Sequence, residues 1–127
     1  MRRAGVVGVA LLAGFALGAG AIQGLHAQGK PAPAYIIAEV QVTDPPAFQA
    51  YAQKAAATIK AANGRVLARA PGEAKEGAPP QGTVYIIAFD SKAAAEKWYN
   101  DPPYRPLIAE REKAAKTRLF LVDGLPQ

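Results

Sequence analysis

Ala34-Tyr35-Ile36-Ile37-Ala38-Glu39-Val40-Gln41-Val42 is rich in β-branched and aromatic residues, and its Tyr-Ile-Ile-Ala core returns at Tyr85-Ile86-Ile87-Ala88, an offset of 85 − 35 = 50. Both stretches read as strands, the second as Thr83 to Phe89. Each is followed by helix-start punctuation. After the first, Asp44 is placed to cap a helix with Pro45 at its first position, where a missing N–H donor costs nothing. After the second, Asp90-Ser91 does the same. From Pro46 to Asn63, Phe48, Ala52, Ala55, Ile59 and Ala62 recur at helical spacing, and Asn63-Gly64 supplies the left-handed terminator. Arg65 to Arg69 reads as a short second strand, and Pro71 to Gly82 as a long Gly/Pro-rich hairpin loop. The second helix, through Ala93, Ala94, Ala95, Trp98 and Tyr99, stops at Asn100-Asp101-Pro102-Pro103 because prolines cannot extend it. It restarts near Tyr104, and Leu107, Ile108, Arg111, Ala114 and Ala115 carry a helical face to Lys116 before a fourth strand from Thr117 to Val122.

The order is βαβ twice over. It predicts an α+β chain of the ferredoxin-like βαββαβ class, a four-stranded antiparallel sheet with the helices on one face and strands one and three in the centre. Those central strands are apolar on both sides. Ile36, Ala38 and Val40 point one way and Tyr35 and Ile37 the other, and strand three is expected to repeat this with Val84, Ile86 and Ala88 against Tyr85, Ile87 and Phe89. The helices cover only one face. The other would leave a large apolar patch on a monomer, so a homodimer packed face to face is predicted.

Ahead of the domain, Met1-Arg2-Arg3 and the uncharged run from Ala4 to Leu25 form the basic and apolar regions of a secretory signal peptide, with cleavage expected near Ala27. The competing reading is an uncleaved N-terminal membrane anchor, which the glycines and Gln23 disfavour. Residues 1–27 are thus assigned to a signal peptide, 28–33 to a linker and 34–124 to the domain. The expected location is periplasmic or secreted, with no membrane association after cleavage. Removing residues 1–27 takes the 127-residue chain to 127 − 27 = 100 residues and its charge from 15 − 10 = +5 to 13 − 10 = +3. It also removes His26, the single histidine of a chain that has no cysteine. Thiolate chemistry, histidine-ligated zinc and histidine-ligated haem are then disfavoured, and no metal or cofactor is expected. No Gly-rich phosphate loop or nucleophile triad is present. The basic residues near the C-terminus are interleaved with Glu110 and Glu112, so a nucleic-acid partner is not expected either.

The segments Ala34 to Val40, Thr43-Asp44-Pro45, Gly64 to Arg69, Trp98 to Tyr104 and Arg118 to Gly124 resemble the domain of unknown function 1330 family across residues 34 to 124. The resemblance implies a dimeric α/β-barrel of the ferredoxin-like class. It belongs to a wider superfamily that includes antibiotic-biosynthesis monooxygenases and haem-degrading enzymes, and the family has no established reaction.

Six residues are candidates for a site. Glu39 lies in an apolar central strand where an unpaired carboxylate is expensive. It is either a catalytic acid or base of raised pKa in a cleft, or half of an ion pair with Arg118, which the fold places on the neighbouring strand. Trp98, Tyr99 and Tyr104 cluster at the helix break and suit the lining of a small-molecule pocket; the alternative is a core anchor and a plain kink. Arg111 sits at the edge of an apolar helix face. It either holds a carboxylate or enolate ligand or lays its stem on the core with its head in water or on Asp44 or Glu39. Arg118 is a further ligand candidate. Tyr51 leans toward the same cleft or keeps its hydroxyl at the surface. These residues support binding of a small ligand between sheet and helices without turnover; a cofactor-independent monooxygenase-like or isomerase-like enzyme, using a carboxylate or tyrosine, is the alternative.

Overall fold

The computed structural model describes residues 30–127. The expected signal peptide lies outside them. In chain order the elements are β1 (Ala34–Val42), α1 (Pro45–Ala61), β2 (Arg65–Pro71), β3 (Thr83–Phe89), α2 (Lys92–Asn100), α3 (Arg105–Ala114) and β4 (Ala115–Asp123). The strands form one antiparallel sheet in the order β2-β3-β1-β4, so the ferredoxin-like class is the one found and β1 and β3 are central. No helix among the described residues is long and apolar enough to cross a membrane.

Local chemistry fixes the element ends. Asp44 Oδ1 accepts from the Ala47 N–H at 3.2 Å, and Ser91 Oγ from the Ala94 N–H at 3.0 Å. At the far end of α1, Asn63 takes the left-handed conformation (φ 61°), and the bonds Gly64 N–H to Ile59 O (2.8 Å) and Asn63 N–H to Lys60 O (3.0 Å) close a Schellman motif. Gly64 is required for space rather than conformation: a Cβ there would lie 2.8 Å from both Ile59 and Phe89. The α3 helix ends at Ala114, two residues before the expected Lys116. Ala115 is already extended and pairs with Val42, while Ala114 O accepts from Thr43 and Asp44 N–H at 2.8 and 3.1 Å, so sheet pairing wins over helix continuation.

The sheet register corrects one expectation. Tyr35 pairs with Ala88 and Ile37 with Ile86, so the two tetrapeptides face oppositely: Tyr35 and Ile37 lie on the same side as Val84, Ile86 and Ala88, while Ile36 and Ala38 share a side with Tyr85 and Ile87. The reason is parity. The helix caps Asp44 and Ser91 are 91 − 44 = 47 residues apart, and the tetrapeptides are 50 apart. Each half is built outward from its own strand-to-helix turn, and a difference of three positions along a strand reverses the face. The helix-covered side holds the core of Ile36, Ile87 and Phe89 under Ala55, Ile59, Trp98, Tyr104 and Leu107. The outer side carries Ile37, Ile86, Phe120 and Val122, the last two 39% and 42% exposed.

Candidate functional site

The inner side of the sheet does not close completely against α1. Between them runs a cleft of about 520 Å³, floored by Ala38, Tyr85, Ile87, Thr117 and Leu119 and walled by Phe48, Ala52, Ala55 and Ile59. Its rim is Val66 and Leu67, about half exposed, where a bulge between Val66 and Ala68 breaks the β2–β3 pairing. The volume falls within the range of about 300–1,000 Å³ typical of small-molecule sites.

Most of the lining is apolar; Arg69 and Tyr85 contribute polar groups from β2 and β3, and three further polar side chains meet where α1 and α3 come together. The Asp101-Pro102-Pro103 break turns the chain so that Tyr104, the residue before α3, drops into the core at 1% exposure. Its ring lies against Trp98, with centroids 4.1 Å apart. The Tyr104 hydroxyl bonds the Tyr51 hydroxyl at 2.6 Å and accepts from Arg111 Nη1 at 2.8 Å. Arg111, two turns further along α3, is 7% exposed, with its stem packed inward. Burial opposes its charge, but the Tyr104 and Tyr51 oxygens outweigh that effect and hold the guanidinium protonated. Burial, reinforced by Tyr104, pushes the Tyr51 hydroxyl well above its ordinary 10.0, so Tyr51 is a hydrogen-bond donor and not a base at physiological pH. Tyr85 on the floor is likewise raised by burial, with Arg69 opposing the shift.

The six predicted residues divide between three places. Trp98, Tyr104 and Arg111 line this cleft. Trp98 is buried and its indole N–H donates to Thr58 Oγ1 at 2.9 Å, so its polar tip is already used and it contributes an aromatic wall. Tyr99 is outside it, beside a smaller hollow of about 270 Å³, with the Arg105 guanidinium 5.8 Å from its ring. Glu39 and Arg118 are on the outer side of the sheet. They pair directly across β1 and β4, and the Arg118 guanidinium donates to Glu39 Oε2. The placement of Glu39 in the cleft is therefore corrected, because residues 38 and 39 point to opposite sides and it is Ala38 that faces the helices. The direction of its pKa is corrected too: Arg118 and then the Gln81 N–H hold the carboxyl below its ordinary value, contrary to a raised-pKa acid. Arg111 reaches neither Asp44 nor Glu39 and donates to Tyr104 instead.

Thr117, Tyr85 and Arg69 of the cleft lining escaped the sequence reading as site residues, and of the two readings of Tyr51 the inward one is found. Tyr51 is four residues before Ala55 and eight before Ile59, both buried, a spacing that already set it on the inner stripe of α1. Thr117 alternates with Leu119 and Leu121 along β4, the signal that it faces inward. Among the described residues no group of His, Cys, Asp or Glu is arranged to hold a metal ion.

Comparisons with known proteins agree with this architecture. A protein of unknown function from Rhodopseudomonas palustris, RPA0582, is similar at 21% identity and a TM-score of 0.61, over 80% of this chain and 89% of that one. SnoaB, a cofactor-independent oxygenase from Streptomyces nogalater, is similar at 12% identity and a TM-score of 0.56, over 76% and 96% of the two chains. A putative antibiotic biosynthesis monooxygenase from Caulobacter crescentus CB15 aligns at 14% identity and a TM-score of 0.52, over 80% and 100%. At these identities the likeness is one of fold. No curated protein matches the chain. The model of the domain of unknown function DUF1330 matches residues 33–125, and the chain belongs to that family.

Proposed function

We propose that this protein is exported, loses its first 27 residues, and binds a small, largely apolar molecule in the cleft between α1 and the sheet. The observation that carries this reading is Arg111, a buried guanidinium in the lining of a largely apolar cleft with no carboxylate paired to it among the described residues. A structural arginine at that depth is normally paired, because an uncompensated buried charge costs several kcal/mol, roughly 3–5. Arg111 has phenol oxygens instead. The cleft residues favour binding over turnover, since they include no carboxylate or imidazole and Tyr51 holds its proton. Two such domains are proposed to pair through their outer sheet faces, covering Ile37, Ile86, Phe120 and Val122. Glu39 and Arg118 act in that arrangement as a structural ion pair.

Native mass spectrometry of the protein recovered from the periplasm of an expressing cell tests export and pairing together. The expected mass is twice that of residues 28–127; a full-length chain or a monomer contradicts the corresponding part. Binding is tested through Trp98, the single tryptophan of the chain and a wall of the cleft. Titration with a series of aromatic carboxylic acids and their primary amides, from benzene to anthracene ring size, is expected to change its emission saturably with one probe per chain. Ala56→Trp, which fills the cleft from an exposed position on α1, abolishes the change. Absence of saturable binding across the whole series rejects the reading.

A further inference from the structure

The unpartnered polar atoms that line the cleft are unbalanced in one direction. Among the described residues, the buried side-chain nitrogen and oxygen atoms with no partner are Arg111 Nε and Thr117 Oγ1, and both residues line this one cleft. Native proteins rarely leave such atoms unsatisfied, so two in the lining of one cleft require an explanation. A third donor is found by counting protons. Tyr51 and Tyr104 have two hydroxyl protons, and the bond between them uses one; Arg111 Nη1 occupies Tyr104 as an acceptor, so one phenolic O–H is left to donate. The unused groups are thus a guanidinium N–H that can only donate, one phenolic O–H, and a threonine hydroxyl free to donate. No Asp or Glu is among the lining residues to receive them.

A surplus of donors around a buried positive charge is complementary to an oxyanion. Water could satisfy the hydrogen bonds, but it would leave the guanidinium without a counter-charge in an apolar enclosure. A carboxylate supplies two acceptor oxygens and the missing negative charge, and its bonds to a guanidinium are of the strong, charge-assisted kind. The rest of the cleft, with Phe48, Trp98, Ile59 and Leu119, is suited to an aromatic or alicyclic body. We infer that the occupant is a hydrophobic monocarboxylic acid, entering past Val66 and Leu67 with its carboxylate received by Arg111 Nε–H, Thr117 Oγ–H and the free phenol of the Tyr51–Tyr104 pair. This deepens the proposed binding role of the cleft and rests on it.

The test compares each carboxylate of the titration series with its own primary amide, which has the same size and shape but no charge. Wild-type protein is expected to bind the acid at least about tenfold more tightly than the amide, the discrimination typical of a site with buried polar groups left unpaired by the wrong ligand. Arg111→Met, of similar length and apolar, should erase that preference while the amide still binds. Thr117→Val should reduce it by about threefold to tenfold. Arg111→Lys keeps the charge without the planar fork, and should retain part of the preference. Far-UV circular dichroism confirms that each variant is folded. Equal affinity for acid and amide in the wild type overturns this inference and leaves the binding role standing. Loss of acid and amide binding alike in a folded Arg111→Met protein also overturns it, because Arg111 would then shape the cleft rather than read the anion. Failure of both ligand classes in the wild type removes the binding role itself.

Discussion

The two faces of one sheet treat an arginine in opposite ways. On the outer face Arg118 is largely exposed and paired with Glu39, its direct neighbour across β1 and β4, with the Phe120 ring 5.2 Å from the guanidinium. On the inner face Arg111 is buried, has no carboxylate among the described residues, and keeps its Nε free. A charge satisfied within the chain asks for nothing further. One buried without a counter-charge is costly to keep, and on the proposed binding role its presence is explained by a molecule that arrives from outside. The contrast separates an ion pair from a proposed receptor, though the two arginines are only seven positions apart in the sequence (118 − 111).

The largest expected effect comes from breaking the inner face. Trp98→Ala removes an indole packed on Phe89 and Tyr104 and should destabilise the fold by about 3–5 kcal/mol, read as a lowered denaturation midpoint. An unchanged midpoint would mean that Trp98 is not part of the core. Next is Ile86→Asp at the centre of the outer face, opposite Ile37. Placing an unpaired carboxylate in the proposed subunit contact should raise the dimer dissociation constant by at least about a hundredfold. Light scattering should then report a folded monomer, and an unaltered dimer would place the contact elsewhere. Third, Tyr104→Phe deletes the hydroxyl that joins Tyr51 to Arg111. Its stability cost should be about 1–2 kcal/mol, with weaker selection for anions, measured by thermal denaturation and by titration.

The smallest effect belongs to the paired charge. Because Arg118 and Gln81 lower the Glu39 pKa in the folded chain, the pair's stabilisation is complete above the ordinary carboxylate value of 4.5 and is lost as pH falls through the lower folded value. Glu39→Gln should flatten that part of the acid limb of the stability curve and leave the melting temperature near neutrality almost unchanged. A large loss at neutral pH would give Glu39 a weight that an ion pair with an exposed partner does not have.

Much of the fold was legible because local signals agreed: caps at Asp44 and Ser91, a breaker at Pro102-Pro103, and alternation in β1 all point to one topology. The neighbourhood of Glu39 and Arg118 also follows from topology alone. The facing of the second tetrapeptide was not legible from its own residues, since Tyr, Ile and Ala suit either side of a doubly apolar strand. It depends on the count of residues to the helix cap. Arg111 was ambiguous for a related reason. A long arginine at the edge of an apolar stripe reaches water or the interior with equal ease, and what turns it inward is the Tyr104 hydroxyl, brought within reach by a proline turn. Tyr51 needed that same partner before its hydroxyl could be buried.

Arginine Nε–H NMR compares the two faces in one spectrum. On titration with a two-ring aromatic carboxylate, the Arg111 Nε–H resonance, assigned through its loss in Arg111→Lys, should shift downfield and become protected from solvent exchange while that of Arg118 stays in place. A saturating titration in which Arg111 does not move, or in which Arg118 moves instead, would contradict the assignment of the inner arginine as the group that receives the ligand.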